Sequence, residues 1–192
     1  PVLQRYGTWV GGVVKGDLGK TIFSESVNEE FKNRIWVSFR LLILGSILGA
    51  VFGVLIGVIS AVRQYKFFDR TFGYSSYIIL STPVFLIAIL LKFFAVFINE
   101  KLGFTLFYTV GLNTPEISGF ELFVNSLQHM ILPTLSLTLG GIAFYSRWQR
   151  NSMLDVLGSD HLRTARAKGL TKRQALFKHG LRVAVLPMAT FF

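Results

Sequence analysis

Three stretches of the chain carry no Asp, Glu, Lys or Arg: residues 41–62, 71–91 and 122–146, of 22, 21 and 25 residues. An α-helix rises about 1.5 Å per residue, so about 20 apolar residues cross a hydrocarbon core of about 30 Å. Each stretch therefore predicts a membrane-crossing helix, with spans at about 36–62, 74–98 and 127–146. A fourth apolar stretch opens at Leu181 and runs about 12 residues to Phe192, too short to cross. The expected fold class is all-α, a polytopic transmembrane helical bundle. Residues 1–35 are polar and contain Gly7, Gly11, Gly12, Gly16 and Gly19. They read as an extracytoplasmic loop with short helical pieces, ahead of a membrane domain at 36–192.

Composition agrees. Of 192 residues, 52% are hydrophobic and 16% charged, against about 25% charged in soluble domains; the mean hydropathy is +0.53. With no cysteine, disulfide scaffolds and Cys-ligated zinc or iron–sulfur sites are excluded. The first 36 residues hold no apolar segment of the kind a secretory signal needs.

The net charge of +10 raises the question of nucleic acid, and its distribution answers it. Residues 63–73 carry net +2, residues 99–126 net −2 and residues 147–182 net +7. Lys and Arg accumulate in cytoplasmic loops, so these connections alternate inside, outside, inside. Membrane orientation explains the basic charge; the expected partner is the lipid bilayer, with no nucleic acid. The segment before residue 41 must then lie outside. Since the sequence starts with Pro1 and shows no means of carrying that segment across, a preceding helix is expected. The chain reads as an internal piece of a longer permease-like protein, with three full spans and the start of a fourth.

Within the first span Gly45, Gly49, Gly53 and Gly57 recur every four residues and form one smooth helical stripe. Small residues so spaced let helix backbones approach closely in lipid, which predicts tight helix packing, with a moving gate as the alternative. In the second span Pro83 follows Ser81 and Thr82 and predicts a kink. Lys92 either snorkels to the headgroups, faces a wet cavity or contacts substrate. In the third span His129 reads as an interfacial residue. No second and third ligand accompany it for a metal site.

Catalytic patterns are missing. Gly19-Lys20-Thr21 resembles the end of a phosphate-binding loop, but the glycine required five residues earlier is Val14. No G-x-S-x-G, H-E-x-x-H or EF-hand pattern occurs.

The cytoplasmic stretch at about 147–180 is the informative one. Ser159 or Asp160 can cap a short helix, and Gly169 can end it in the left-handed conformation. The helix between is barely two turns, too short to be stable alone. Thr171 and Gln174 then have capping-box spacing at the start of a second helix. A short helix held between two membrane helices suits a docking element. It equally suits a helix resting on anionic headgroups through Arg163, Arg166 and Lys168.

The run His161-Leu162-Arg163-Thr164-Ala165-Arg166-Ala167-Lys168-Gly169-Leu170, continuing through His179, Leu181, Arg182, Leu186 and Pro187, resembles the EAA loop of ABC-importer permeases. More narrowly it is similar to the peptide subclass: dipeptide, oligopeptide and nickel permeases. Gly16-Asp17-Leu18-Gly19, Ser81-Thr82-Pro83-Val84-Phe85 and His129-Met130-Ile131-Leu132-Pro133 agree, in the expected order. Arg163 and Thr164 stand where the wider superfamily has Glu and Ala, and Leu186-Pro187 lies farther from Gly169 than in sugar permeases; both fit the peptide subclass.

The resemblance implies a type I ABC-importer permease fold with six spans per subunit, of which this chain supplies the second, third, fourth and the start of the fifth. It implies a second homologous permease subunit, two cytoplasmic ABC ATPase subunits that bind ATP and Mg, and an extracytoplasmic peptide-binding protein. The chain itself would hold no cofactor or metal and have no catalytic site. Peptides are the implied cargo; nickel-chelate, glutathione or another small solute is the alternative. Carried over, Asp160 to Gly169 is the ATPase-coupling helix. Asp160, Leu162, Arg163, Thr164, Ala165, Arg166, Ala167, Lys168 and Gly169 are its contact residues: the alanines for close approach, the cations for acidic or backbone groups, Gly169 for the turn.

Overall fold

The computed structural model describes residues 2–111, 114 and 117–191. Helices dominate: α1 Val2–Val14, α2 Val27–Val62, α3 Phe67–Ser81, α4 Val84–Leu102, α5 Gly119–Leu157, α6 Asp160–Ala167, α7 Lys172–Ala175, a π-helical turn Leu176–Gly180, and α8 Leu181–Ala189. Among the described residues there is no strand, only an isolated antiparallel bridge between Lys20 and Ser26. The all-α class expected from the charge-free stretches is the observed one. The chain divides into two compact units, Pro1–Leu42 and Ile43–Phe192.

The first unit is more helical than the loop expected for residues 1–35. Between α1 and α2 the chain turns on Gly16-Asp17-Leu18-Gly19, and its two glycines have φ of +83° and +90°, a region that costs other residues about 1–2 kcal/mol. Asn28 pins this turn from α2. Its Nδ2 donates to the Gly16 carbonyl at 2.6 Å, and its Oδ1 accepts from the Leu18 N–H at 2.8 Å. The Asp17 carboxylate accepts from the Gly19 N–H at 2.9 Å. Helix α2 starts at Val27, ahead of the expected span, with Glu29 and Glu30 in its first turn, where acidic groups complement the positive helix end.

In the second unit the glycine stripe of α2 lies against α5. A Cβ on Gly45 would stand 2.8 Å from Leu137 Cβ, on Gly49 3.0 Å from Gly141 Cα, on Gly53 2.6 Å from Tyr145 Cβ and on Gly57 2.6 Å from the Ser146 carbonyl oxygen. The two backbones meet with nothing between them, which is the contact that small residues permit in lipid, where apolar burial alone gives helices no reason to associate. Gln149 is fully buried beside Gly57. Its amide has no hydrogen-bond partner among the described residues, a cost of about 1–3 kcal/mol that this close packing must offset.

The second expected span is broken more sharply than a proline kink. Helices α3 and α4 meet at 110° across Ser81 to Pro83. Ser81 and Thr82 donate their hydroxyls to the Tyr77 and Ile78 carbonyls, both at 2.8 Å, so α3 satisfies its own last turn before the proline. Thr82 is extended, φ −98° and ψ 125°, as steric crowding by a following proline demands. Pro133, by contrast, lies inside an uninterrupted α5. Helices α2 and α5 are each long and apolar enough to cross a membrane, and counting the broken pair as one makes three spans.

Both halves of that pair pack on α5. On α3, Ser76 Oγ lies 3.2 Å from Ser146 Oγ. In the first turn of α3, Asp69 accepts two hydrogen bonds from Arg150, at 2.5 and 2.9 Å, and a third from the Tyr65 N–H at 2.9 Å. Both charged groups lie outside the charge-free stretches. The Arg150 bonds hold the Asp69 carboxyl below its usual range, against the opposing push of burial. The pair therefore stays ionised and ties the α3 start to α5.

Two expectations follow for the full-length protein in detergent. Replacing Gly141 by Ala, against the Gly49 backbone, should cost about 1–3 kcal/mol as overpacking, whereas Gly140→Ala, which meets nothing within 4 Å, should be neutral or slightly stabilising. Equal melting temperatures for the two variants would remove the backbone seam. Asp69→Asn should cost about 3 kcal/mol, the lower end for breaking a buried pair. Asp155→Asn, on an exposed position, should leave the unfolding transition in place.

Candidate coupling site on the cytoplasmic loop

Helix α5 ends at Leu157, and the chain turns through Gly158 and Ser159 into α6. Ser159 occupies the N-cap with extended dihedrals but makes no side-chain cap; its hydroxyl turns back and donates to the Val156 carbonyl at 2.7 Å. The expected serine cap is thus a closing bond on the preceding helix. Asp160 instead places a carboxylate in the first turn of α6 and pairs with Arg163 at 3.2 Å across solvent, a contact that contributes little on an exposed face.

The carboxyl end of α6 is built as the glycine spacing predicts. Gly169 has φ +93°. Its N–H donates to the Arg166 carbonyl at 3.0 Å, and the Leu170 N–H reaches the Ala165 carbonyl at 3.4 Å. These are the two bonds of a Schellman motif, which satisfies carbonyls a helix end leaves open. Thr171 then caps α7. Its N–H donates to Gln174 Oε1 at 3.0 Å, and the Gln174 N–H donates back to Thr171 Oγ1 at 3.3 Å, the reciprocal box that the sequence spacing implies.

An eight-residue helix needs tertiary support, and Leu162 supplies it. It is buried, 4% exposed, and faces Gly180: a Cβ on that glycine would stand 3.1 Å from Leu162 Cδ1, with Val156 and Leu176 close by. Beneath lies the apolar cluster of Ala61, Met153, Leu176 and Ala184, with Leu154, Val156 and Leu157 around it. Ser152 adds a hydroxyl bond to the Ala184 carbonyl at 2.9 Å. One short helix is thereby seated where the α2 end, α5, the π-helical turn and α8 converge.

Of the residues assigned to the coupling helix, Asp160, Arg163, Thr164, Arg166, Ala167, Lys168 and Gly169 are exposed, Ala165 is half-buried and Leu162 is turned inward. Leu162 holds the helix to its own chain and is not presented to a partner. Sequence reading missed Gly180, whose role appears only once Leu162 is seen to rest on it. It also missed the 176–180 π turn, closed by the Leu181 N–H on the Leu176 carbonyl.

Two other residues singled out by the sequence meet at a cavity of about 330 Å³, which Lys92, Tyr108, His129 and Ser136 help to line. Lys92 therefore faces a cavity, one of its three sequence readings. His129 is buried, stacked on Tyr108 with ring centres 4.3 Å apart, and its Nδ1 lies 2.8 Å from the Asn125 carbonyl. Among the described residues no group of three or more His, Asp or Glu could hold a metal ion.

These features define a multi-pass helical membrane protein with a structured loop seated on its helix ends. Residues 53–192 match the family described as binding-protein-dependent transport system inner membrane component, and the chain belongs to that family. It is 50% identical over 194 residues to the oligopeptide transport system permease protein OppB of Mycobacterium tuberculosis, covering 100% of this chain and 60% of that protein. It is 36% identical to the oligopeptide transport system permease protein AppB of Bacillus subtilis, covering 100% and 59%. Against the dipeptide transport system permease protein DppB of Escherichia coli it is 32% identical over 208 residues, covering 99% and 60%. The chain thus spans about 60% of the length of the curated relatives it matches.

If Leu162 is the anchor, Leu162→Ala should leave the spans folded and free α6, at a cost of about 2–5 kcal/mol for a buried leucine. Trypsin should then cut after Arg163, Arg166 and Lys168 faster than in wild type while the helix content by circular dichroism stays constant. Unchanged cleavage rates at these three sites would disprove the anchoring.

Proposed function

We propose that the chain is part of the permease subunit of an ATP-driven ABC importer for di- and oligopeptides, and that α6 is the element on which a cytoplasmic ATPase acts. The relatives' names as oligopeptide and dipeptide permeases support the cargo class. In this reading a second homologous permease completes the path, an extracytoplasmic binding protein delivers the peptide, and two ATPases hydrolyse ATP with Mg. The permease performs no bond chemistry.

The observation that carries the proposal is the construction of α6. A helix of this length would fray if it only lay on the surface. Here Leu162 fixes its inner face and the Gly169 motif its end, while its polar face stays open. A force applied to such a helix passes through Leu162 and Gly180 to the cluster that joins α2, α5 and α8. ATPase closure then moves the membrane helices by rigid-body shift. Ala165 and Ala167 let a partner surface come close, and Arg163, Arg166 and Lys168 offer charge to acidic or carbonyl groups.

The test uses the complete transporter in liposomes. Gly169→Trp, which places a side chain on left-handed backbone, and Ala165→Asp should each abolish substrate-stimulated ATP hydrolysis and peptide uptake while membrane insertion stays normal. Normal transport by the Gly169→Trp complex would sink the coupling role. A headgroup role for α6 would instead leave both variants coupled.

A further inference from the structure

A second basic site lies apart from α6. Where α3 and α5 leave the charge-free stretches, the side chains of Arg70, Arg147 and Arg150 border one cavity of about 320 Å³, together with Asp69, Tyr74 and Tyr77. Three cations face a single carboxylate. That carboxylate is already committed, since Asp69 accepts two hydrogen bonds from Arg150 and one from the Tyr65 N–H. Arg70 and Arg147 therefore add positive charge that no acid in the cavity offsets. Arg147 is held in place: its guanidinium lies 4.0 Å from the centre of the Tyr77 ring. Such stacking fixes the guanidinium plane and leaves its in-plane N–H fork for a planar or tetrahedral anion.

The surroundings narrow the anion. Tyr74 and Tyr77 are 67% and 56% exposed, and exposed tyrosines at the end of a span sit at headgroup depth. The loop from 63 to 73 and the segment after 146 are on the cytoplasmic side by their charge. Cavities with basic linings between helices on that side are where anionic headgroups bind. We infer that this cavity binds the phosphate of an anionic phospholipid from the cytoplasmic leaflet, through Arg70 and Arg147, with the Asp69–Arg150 pair as its fixed floor. Acyl chains would leave past the tyrosine rings along the exposed apolar face of α3, where Ile78 is 68% exposed. The inference is independent of cargo and of α6.

Full-length permease, purified in mild detergent and placed in nanodiscs of phosphatidylcholine with or without phosphatidylglycerol, tests it. Native mass spectrometry should find phosphatidylglycerol retained over phosphatidylcholine in the wild type. The double variant Arg70→Gln/Arg147→Gln should bind it about tenfold or more weakly, the scale for removing two near-surface cations. Arg147→Lys, which keeps charge and loses the fork, should fall between, and Lys178→Gln, outside the cavity, should match wild type. If the double variant does not fold, Arg70→Gln alone serves, since Arg70 is exposed. Equal retention of both lipids, or retention unaffected by the arginine substitutions, overturns the proposal. Inorganic phosphate that raises the melting temperature as much as phosphatidylglycerol at equal phosphate overturns the lipid assignment in favour of a soluble phosphate.

Discussion

Everything in the membrane unit depends on how closely the backbones of α2 and α5 approach. In water, apolar faces would drive helices together. In lipid the tails are as apolar as leucine, so dispersion at short range and a few polar contacts must suffice. A Cβ built on Gly49 would stand 3.0 Å from Gly141 Cα, and one built on Gly141 the same distance from Gly49 Cα, so a side chain at either position would force the two backbones apart. Four glycines at helical spacing extend the contact over three turns. Helix α5 thus becomes a fixed post, and the other elements attach to it by chemistry suited to their depth. Serine hydroxyls join α3 within the apolar layer, and an ion pair joins it where water begins. A hydroxyl-to-carbonyl bond and alanine packing join α8 near α6.

The same constraint explains the break in the second span. A proline inside a membrane helix frees a carbonyl that lipid cannot satisfy. At Pro83 the two preceding hydroxyls bind carbonyls of their own helix, so α3 closes itself and the chain can turn. In α5 the helix continues uninterrupted through Pro133. Both prolines are visible in the sequence, and the paired hydroxyls before Pro83 mark the one that ends its helix. The size of the bend is set by packing both halves on α5, which no local pattern encodes.

Legibility therefore divides along the line between local and tertiary chemistry. The spans could be read because lipid excludes charge from about 20 consecutive residues, and no tertiary contact alters that. Gly169 and the Thr171–Gln174 pair could be read because their hydrogen bonds close within a few residues. Asp69 and Arg150 stand 81 positions apart, and nothing in either neighbourhood announces the pair. An apolar side chain on a docking helix fits either an inward or an outward role, so the sequence alone does not turn Leu162 inward; Gly180, whose missing Cβ makes the seat, does. Ser159 shows the opposite failure, since the right residue type at the right position spends its hydroxyl on the helix behind it.

On the proposed coupling reading, a helix that passes force to the cluster joining α2, α5 and α8 must be stiff along the direction of that force, yet two turns of helix have little stiffness of their own. Stiffness has to come from the seat, and a seat made by one leucine on one glycine resists compression and sliding far better than a charged contact across water would. The exposed cations of α6 are not needed to hold the helix to its own chain. Apolar groups fix the helix to its own chain, and polar groups face outward. In the reverse arrangement, partner binding would have to compete with the chain's own anchoring contacts.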